Sequence, residues 1–151
     1  MASDRQLKGG CFCDEVRYEA EGEAARLTNC HCTICRRVSG APFVAWFTVS
    51  RARFRFVRGE PTCFRSSPTG TRGFCGRCGS QLTFASDDAP HEIDVTTCTL
   101  DEPEALPSQD HTYVRSKLDW VTLADGLPRH WRARDDAAQA SVQRVSETTE
   151  R

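Results

Sequence analysis

The sequence lacks the features that would mark a membrane, secreted or nucleic-acid-binding protein. No apolar run approaches the roughly 20 residues that a membrane-spanning helix needs. The first ten residues contain no apolar stretch of the kind found in secretory signals, so we expect a cytoplasmic protein. The formal net charge of −1 gives no electrostatic reason to expect a nucleic acid or a membrane as a partner.

Hydrophobic residues are also few. They make up 38% of the 151 residues, and the mean hydropathy is −0.53, so the core must be modest. The sequence has no phosphate-binding glycine loop, no dinucleotide-binding fingerprint and no clear Ser-His-Asp signature. A chain of this length is typical of one domain, and bound metal would add to the folding free energy of such a small core.

Cysteine, by contrast, is abundant. Seven of the nine cysteines fall into three tight clusters, and in a reducing compartment such clusters indicate metal ligands rather than disulfides. Seven thiolates can make one site with four ligands and one site with three. Structural zinc sites have four protein ligands, whereas catalytic zinc sites keep one position open for water or substrate. The cysteine count therefore predicts two Zn²⁺ per chain, one structural and one catalytic.

The first and third clusters together predict the four-ligand site. Cys75 and Cys78 have the two-residue spacing of a zinc knuckle, which needs two further ligands from elsewhere. Cys11 and Cys13 can supply them, because the side chains of residues i and i+2 share one face of an extended segment. The alternative is that Cys11 and Cys13 are buried thiols without a metal.

The second cluster predicts the three-ligand site. Cys30, Cys32 and Cys35 can place three sulfurs on one ion by themselves and leave a fourth position open. One alternative is that His31 or His111 fills that position and makes this site structural as well. Another is that Cys32 and Cys35 act as a redox dithiol.

The charge of the three-ligand site predicts its substrate class. Three thiolates on Zn²⁺ leave a formal charge of −1, which makes the metal a poor activator of water and a good partner for a soft thiol. A bound substrate thiolate would raise the charge to −2, so nearby cations are needed. Arg36 and Arg37 follow the cluster directly and are the candidate substrate-binding residues. Alternatively, each is an ordinary solvated arginine.

The remaining pattern predicts an all-β protein made of short strands between turns rich in Gly, Pro and Ser. One helical turn is expected after the second cluster, with Gly40 at its C-terminus. A final hairpin is expected from residues 111–114 and 118–123. The polar residues 131–151 predict a short helix or a disordered tail.

Three further interpretations concern residues outside the clusters. Arg51, Arg53 and Arg55 alternate with apolar residues, which predicts one basic face of an extended strand. That face could hold the carboxylates of a substrate, although a solvated strand face is the simpler interpretation. Cys63 and Cys98 lie in strand patterns without ligand spacing and are expected to be core thiols.

The three cysteine clusters, taken together, resemble those of the glutathione-dependent formaldehyde-activating enzyme family, which includes the centromere protein V-like proteins. The resemblance spans roughly residues 6–130. The matching segments include Gly9-Gly10-Cys11-x-Cys13, Cys30-His31-Cys32-x-x-Cys35-Arg36, residues 40–47, Gly59-x-Pro61, Arg72-x-Phe74-Cys75-x-x-Cys78-Gly79, Leu100-Asp101-x-Pro103, His111 and Trp120.

This resemblance implies an all-β fold of the β-tent type with short antiparallel strands. It also implies a structural zinc on Cys11, Cys13, Cys75 and Cys78, and a catalytic zinc on Cys30, Cys32 and Cys35. The implied activity is that of a carbon–sulfur lyase which condenses glutathione with formaldehyde to S-hydroxymethylglutathione, or acts on a related thiol–aldehyde adduct. The alternative function is a non-catalytic zinc-binding module for protein interaction, with both zinc ions structural.

Overall fold

The computed structural model describes residues 5–134, which form mostly strands and little helix. The expected all-β class is confirmed. The elements are β1 (Gln6–Gly10), β2 (Arg17–Glu21), β3 (Ala25–Cys30), α1 (Thr33–Ser39), β4 (Val44–Ser50), β5 (Phe54–Arg58), β6 (Thr62–Arg65), β7 (Gly70–Phe74), β8 (Gln81–Ser86), β9 (Glu92–Thr96) and β10 (Asp110–Thr112). Most of the tail expected over residues 131–151 lies outside the described residues. No helix in the described range is long and apolar enough to cross a membrane.

The chain forms two compact units. Among the described residues, the first contains 5–26 and 46–107, and the second contains 27–45 and 108–134. The cysteines of the first and third clusters belong to the first unit, and those of the second cluster belong to the second unit.

A three-stranded antiparallel sheet in the first unit leads into the first cysteine cluster. Its strand order is β1-β2-β5. Tyr18 and Ala20 of β2 are fully buried, while Arg17 and Glu19 alternate with them and lie on the opposite face, as a two-residue period requires. The ring of Tyr18 stacks on Phe54 of β5 with centroids 5.5 Å apart. β1 pairs with β2 and ends directly before Cys11.

The other sheet of the first unit leads into and out of the third cluster. From Trp46 onward β4 pairs with β9, and the antiparallel order continues through β8 and β7 to β6. Phe47, Leu82 and Val95 are fully buried in its core. The β7–β8 connection carries Cys75 and Cys78, so the pairing of these two strands holds the knuckle in place.

Two expectations for the first unit are wrong. Cys63 and Cys98 are exposed rather than core thiols, because β6 is an edge strand exposed along its whole length and Cys98 lies in a 3₁₀ turn. Arg51 and Arg53 do not share a strand face with Arg55, because residues 51–53 form a 3₁₀ turn that links β4 to β5. Only Arg55 lies in a strand, where it pairs with the carboxylate of Glu19 at 2.7 Å.

In the second unit, β10 pairs in parallel with β3, and α1 follows the second cluster. Gly40 ends α1 with φ of 65° and donates its backbone N–H to the carbonyl of Arg36, as expected of a C-terminal glycine. The expected hairpin over residues 111–114 and 118–123 is wrong. Tyr113 has φ of 55° and a 3₁₀ turn follows it, so the strand ends at Thr112, and residues 118–123 form no strand.

Candidate metal centres

The first and third clusters come together in the first unit. The sulfurs of Cys11, Cys13, Cys75 and Cys78 lie within 4.8 Å of one another. Cys13 Sγ is 3.6 Å from Cys11 Sγ and 3.7 Å from Cys75 Sγ. A tetrahedral zinc ion with bonds of about 2.3 Å to sulfur places its ligand atoms about 3.8 Å apart. Both distances from Cys13 Sγ match this value, and the four sulfurs are close enough together to share one zinc ion.

Hydrogen bonds from the loops orient these sulfurs. The backbone N–H of Val16 donates to Cys11 Sγ at 3.2 Å, and the hydroxyl of Ser80 lies 3.2 Å from Cys78 Sγ. Gly79 has φ of 80°, which glycine adopts readily. This conformation closes the turn between Cys75 and Gly79, in which the N–H of Gly79 donates to the carbonyl of Cys75. Such contacts are typical of groups that hold metal-bound thiolates in position.

The second cluster is a separate group of three sulfurs in the second unit. The sulfurs of Cys30, Cys32 and Cys35 lie within 4.8 Å of one another, and no fourth metal-binding side chain among residues 5–134 belongs to the group. Cys30 ends β3, Cys32 precedes α1, and Cys35 lies in its first turn. The sulfur of Cys32 accepts a hydrogen bond from the backbone N–H of Cys35 at 3.2 Å. One strand end and one helix start thus bring all three sulfurs together.

The thiols of both groups compete for ionisation. Hydrogen bonds from Cys30 and Cys35 lower the pKa of Cys32 to about 2, while the contacts with Cys32 and Cys35, together with burial, raise the pKa of Cys30. In the other group, the Ser80 hydroxyl lowers the pKa of Cys78 to about 5. A first thiolate is therefore favourable, and the next one needs a nearby cation. A zinc ion meets that need, so the donor chemistry also fits a metal at both sites.

The two histidines considered as fourth ligands bind each other instead. His31 Nε2 and His111 Nδ1 are 2.9 Å apart, and His111 Nε2 is 2.7 Å from the carboxylate of Asp125. Both rings are buried, and neither histidine belongs to the sulfur group. Burial is the main reason that the pKa of His31 falls to about 4.

The two candidate substrate-binding arginines differ in their environment. Both lie in α1 directly after Cys35. Arg37 is exposed, whereas Arg36 is half-buried and its Nε atom is buried without a hydrogen-bond partner among the described residues. A buried guanidinium nitrogen without an acceptor is uncommon in folded proteins. This contrast favours Arg36 as the residue that meets an anionic group.

Two residues near the second cluster were not predicted. Asp125 completes the contact with His111 from a distant loop. The Tyr113 hydroxyl has its pKa raised by burial first and then by the negative charge of Cys30 and Cys32, which places it in the field of the cluster. No local sequence pattern indicates either residue, because Asp125 lies in a loop and Tyr113 lies just beyond β10, whose parallel pairing with β3 is not a local feature.

A sequence profile of the family described as "Glutathione-dependent formaldehyde-activating enzyme" matches residues 6–116. The chain belongs to this family. The match includes all seven clustered cysteines and the His31–His111 pair.

Three relatives show how the chain compares with individual proteins. It is 31% identical over 80 residues to an uncharacterised lyase of Schizosaccharomyces pombe, covering 53% of this chain and 58% of that protein. It is 29% identical over 127 residues to a Halomonas elongata protein provisionally named a glutathione-dependent formaldehyde-activating enzyme, covering 78% and 80% of the two chains. A Rhodobacter sphaeroides crystal structure superimposes with a TM-score of 0.56 at 30% identity, covering 70% of this chain and 99% of that one.

Proposed function

We propose that the chain is a zinc-dependent carbon–sulfur lyase that acts on a thiol–aldehyde adduct, with glutathione and formaldehyde as the leading pair. The observation that carries the proposal is that, among residues 5–134, the group formed by Cys30, Cys32 and Cys35 has three sulfurs and no fourth ligand, in a member of this family. A metal held there by three protein ligands keeps a position for a substrate atom. The names of the two curated relatives, one a lyase and one a formaldehyde-activating enzyme, support the same reaction class.

The two sulfur groups have different roles in this proposal. Cys11, Cys13, Cys75 and Cys78 hold a structural zinc ion in the first unit. Cys30, Cys32 and Cys35 hold the zinc ion of the reaction. When bound there, zinc supplies a Lewis acid that keeps the sulfur of a substrate thiol in its thiolate form.

The reaction adds a thiol across the carbonyl group of an aldehyde. A carbon–sulfur bond forms, the π bond of the carbonyl breaks, and the proton released by the thiol ends on the carbonyl oxygen. The reverse reaction breaks the carbon–sulfur bond and returns the thiol and the aldehyde. The three cysteines contribute by fixing where the thiol binds, because a well-oriented pair of reactants gains much of the rate enhancement that proximity can provide.

Arg36 is the proposed anchor for the negative charge of the substrate. Its buried Nε atom has no acceptor among the described residues, and Arg36 directly follows Cys35 in α1. A carboxylate of glutathione would supply the missing acceptor through a charge-assisted hydrogen bond.

The proposal is tested by exchange NMR on a mixture of glutathione and formaldehyde. Because the uncatalysed equilibrium already forms adduct, the signal is the rate of exchange between free and bound formaldehyde rather than the amount of product. The wild-type protein should accelerate exchange and Cys32→Ser should not. The matched control is Cys63→Ser, which changes an exposed cysteine outside both groups and should keep wild-type acceleration.

Three results would change the account in different ways. If Cys32→Ser accelerates exchange as well as the wild type, the three-cysteine site is not where the reaction occurs. If the wild type fails with formaldehyde but glutathione still changes the spectrum of a metal at this site, the substrate is another aldehyde or adduct. If no thiol reaches this metal, the chain is a zinc-binding module with two structural sites.

A further inference from the structure

Three side chains of the second unit form a continuous hydrogen-bond chain that begins inside the three-cysteine segment. His31, which lies between Cys30 and Cys32, contacts His111 Nδ1 through its Nε2 atom at 2.9 Å. His111 Nε2 contacts the Asp125 carboxylate at 2.7 Å. His31 and His111 are buried at 0% and 1% exposure, whereas Asp125 is 41% exposed. The chain thus runs from an exposed anion to the backbone that carries two metal-binding sulfurs.

The chemistry of the groups gives this chain a direction. Burial is the largest single influence on the pKa of Asp125 and raises it, but the hydrogen bonds from His111 and from the Leu127 N–H, together with the charges of His111 and Arg129, lower the pKa overall. The carboxylate is therefore an acceptor. His111 Nε2 then carries a proton and, in the neutral ring, Nδ1 accepts from His31 Nε2–H. His31 Nδ1 is left unprotonated. That nitrogen is buried without a hydrogen-bond partner, which suits a bare acceptor better than a buried N–H.

His111 is itself held firmly by the backbone around it. Its N–H donates to the carbonyl of Pro128 at 2.8 Å, and its carbonyl accepts from the N–H of His130 at 2.8 Å. In β10 it lies opposite Asn29 of β3, two residues before His31. Because the backbone of His111 is held in this way, its ring can fix the orientation of the His31 ring.

His31 is held on its other sides as well. Its backbone N–H donates to the carbonyl of Thr112 at 2.9 Å, and its ring lies 4.9 Å from the ring of Phe43. Only one residue, His31 itself, separates Cys30 from Cys32. The residue that joins the two sulfur-bearing cysteines is therefore held both through its backbone and through its ring.

We propose that His111 and Asp125 are positioning residues for the three-cysteine site, fixing the tautomer and orientation of His31 and thereby the placement of Cys30 and Cys32 for metal binding. The inference rests on the metal site of the proposed function and not on the lyase reaction. Groups that orient metal ligands from outside the coordination shell typically change metal affinity by about 10- to 100-fold.

The test is Asp125→Asn in the full-length, zinc-loaded protein. Asp125 also accepts from the N–H of Leu127 at 3.0 Å, and the amide oxygen of asparagine can keep that bond. The amide nitrogen would then donate to His111 Nε2. This exchanges the donor and acceptor in each hydrogen bond of the chain, so the proton of His31 moves from Nε2 to Nδ1. Long-range ¹H–¹⁵N correlation spectra, with His31 assigned by comparison with His31→Gln, report which ring nitrogen carries the proton.

Two readouts decide the proposal, and neither needs turnover. In the wild type, His31 should be protonated at Nε2, and Asp125→Asn should reverse this. Competition with a chromophoric chelator should then show that one of the two zinc ions binds about 10- to 100-fold more weakly while the other is unchanged. The matched control is Asp88→Asn, an exposed aspartate in the first unit, which should alter neither readout.

Several outcomes would overturn the inference. A wild-type His31 protonated at Nδ1 would contradict the direction of the chain without any variant being needed. If Asp125→Asn left both zinc affinities unchanged, the hydrogen-bond chain from Asp125 to His31 would have no role in positioning the three-cysteine site. If zinc weakens as expected but the protein never accelerates glutathione–formaldehyde exchange, the positioning role stands and the lyase proposal fails, so the two failures are distinguishable.

Discussion

The sulfurs of Cys13 and Cys75 lie 3.7 Å apart, although the two residues are 62 positions apart in the chain. Closing a loop of this length costs conformational entropy, and favourable contacts must offset that cost. The paired strands on either side bring the two loops together, and a shared zinc ion would crosslink them. We therefore expect the four-cysteine group to contribute much of the stability of the first unit.

Cys75→Ala should severely destabilise the protein. It removes a buried ligand from the four-sulfur group and leaves three thiols without a complete metal shell. Loss of a structural metal is among the few causes of destabilisation above about 4 kcal/mol, which corresponds to a fall of about 10 °C or more in melting temperature. Differential scanning calorimetry and zinc analysis measure both effects. An unchanged melting temperature would show that the group is not a structural metal site.

Zinc should protect seven of the nine cysteines from alkylation. Cys63 and Cys98 are exposed and belong to neither sulfur group, so they should react with iodoacetamide in the zinc-loaded protein. Thiolates bound to metal are expected to react more slowly. Mass spectrometry should find two added groups under native conditions and nine after chelation and denaturation. Equally rapid modification of Cys11 or Cys75 in the native protein would contradict metal binding at the four-cysteine group.

Gly40→Ala should destabilise α1, the helix that carries Cys35. Gly40 ends this helix with φ of 65°, where a side chain is strained, yet a Cβ atom there meets nothing within 4 Å. The cost is therefore one of backbone conformation alone, about 1–2 kcal/mol. Gly40→Asn should cost less, because asparagine tolerates left-handed backbone better. Urea denaturation of the two variants compares them directly, and equal stabilities would show that the conformation of Gly40 is not constrained.

Arg36→Gln and Arg37→Gln should have different effects on glutathione binding. Arg36 has a buried Nε atom without an acceptor among residues 5–134, whereas Arg37 is exposed. A lost charge-assisted hydrogen bond costs about 1.5–3 kcal/mol, so Arg36→Gln should weaken binding by at least about 10-fold. Arg37→Gln should change the dissociation constant less than about twofold. Isothermal titration calorimetry makes the comparison, and a larger effect at Arg37 would reverse the assignment.

Local spacing in the sequence was sufficient to predict both cysteine groups, the strand-rich fold and the glycine that ends α1. It failed where the outcome depended on distant pairing. The exposure of Cys63 follows from its place on an edge strand, which depends on the sheet order rather than on alternation. The contact between His31 and His111 requires β10 to pair in parallel with β3, across 80 residues of sequence.

The predicted final hairpin failed for a similar reason. Residues 111–114 and 118–123 have suitable composition, but β10 pairs with β3 instead and ends where Tyr113 adopts positive φ. Propensity describes a half-buried extended segment without specifying its partner. The cytoplasmic location, the domain bounds and the roles of the individual site residues stay predictions.

The central claim, that the three-cysteine site holds a metal with a position for a substrate thiol, is tested most directly by X-ray absorption spectroscopy at the zinc edge. Cys75→Ala would also change the number of sulfur ligands at the four-cysteine site. The measurement is therefore made on the wild type, with and without glutathione. We predict that glutathione raises the average number of sulfur neighbours per zinc, because the three-cysteine site gains one sulfur while the four-cysteine site stays unchanged. An average of four sulfurs before glutathione is added, or no change after saturation with it, would contradict the account.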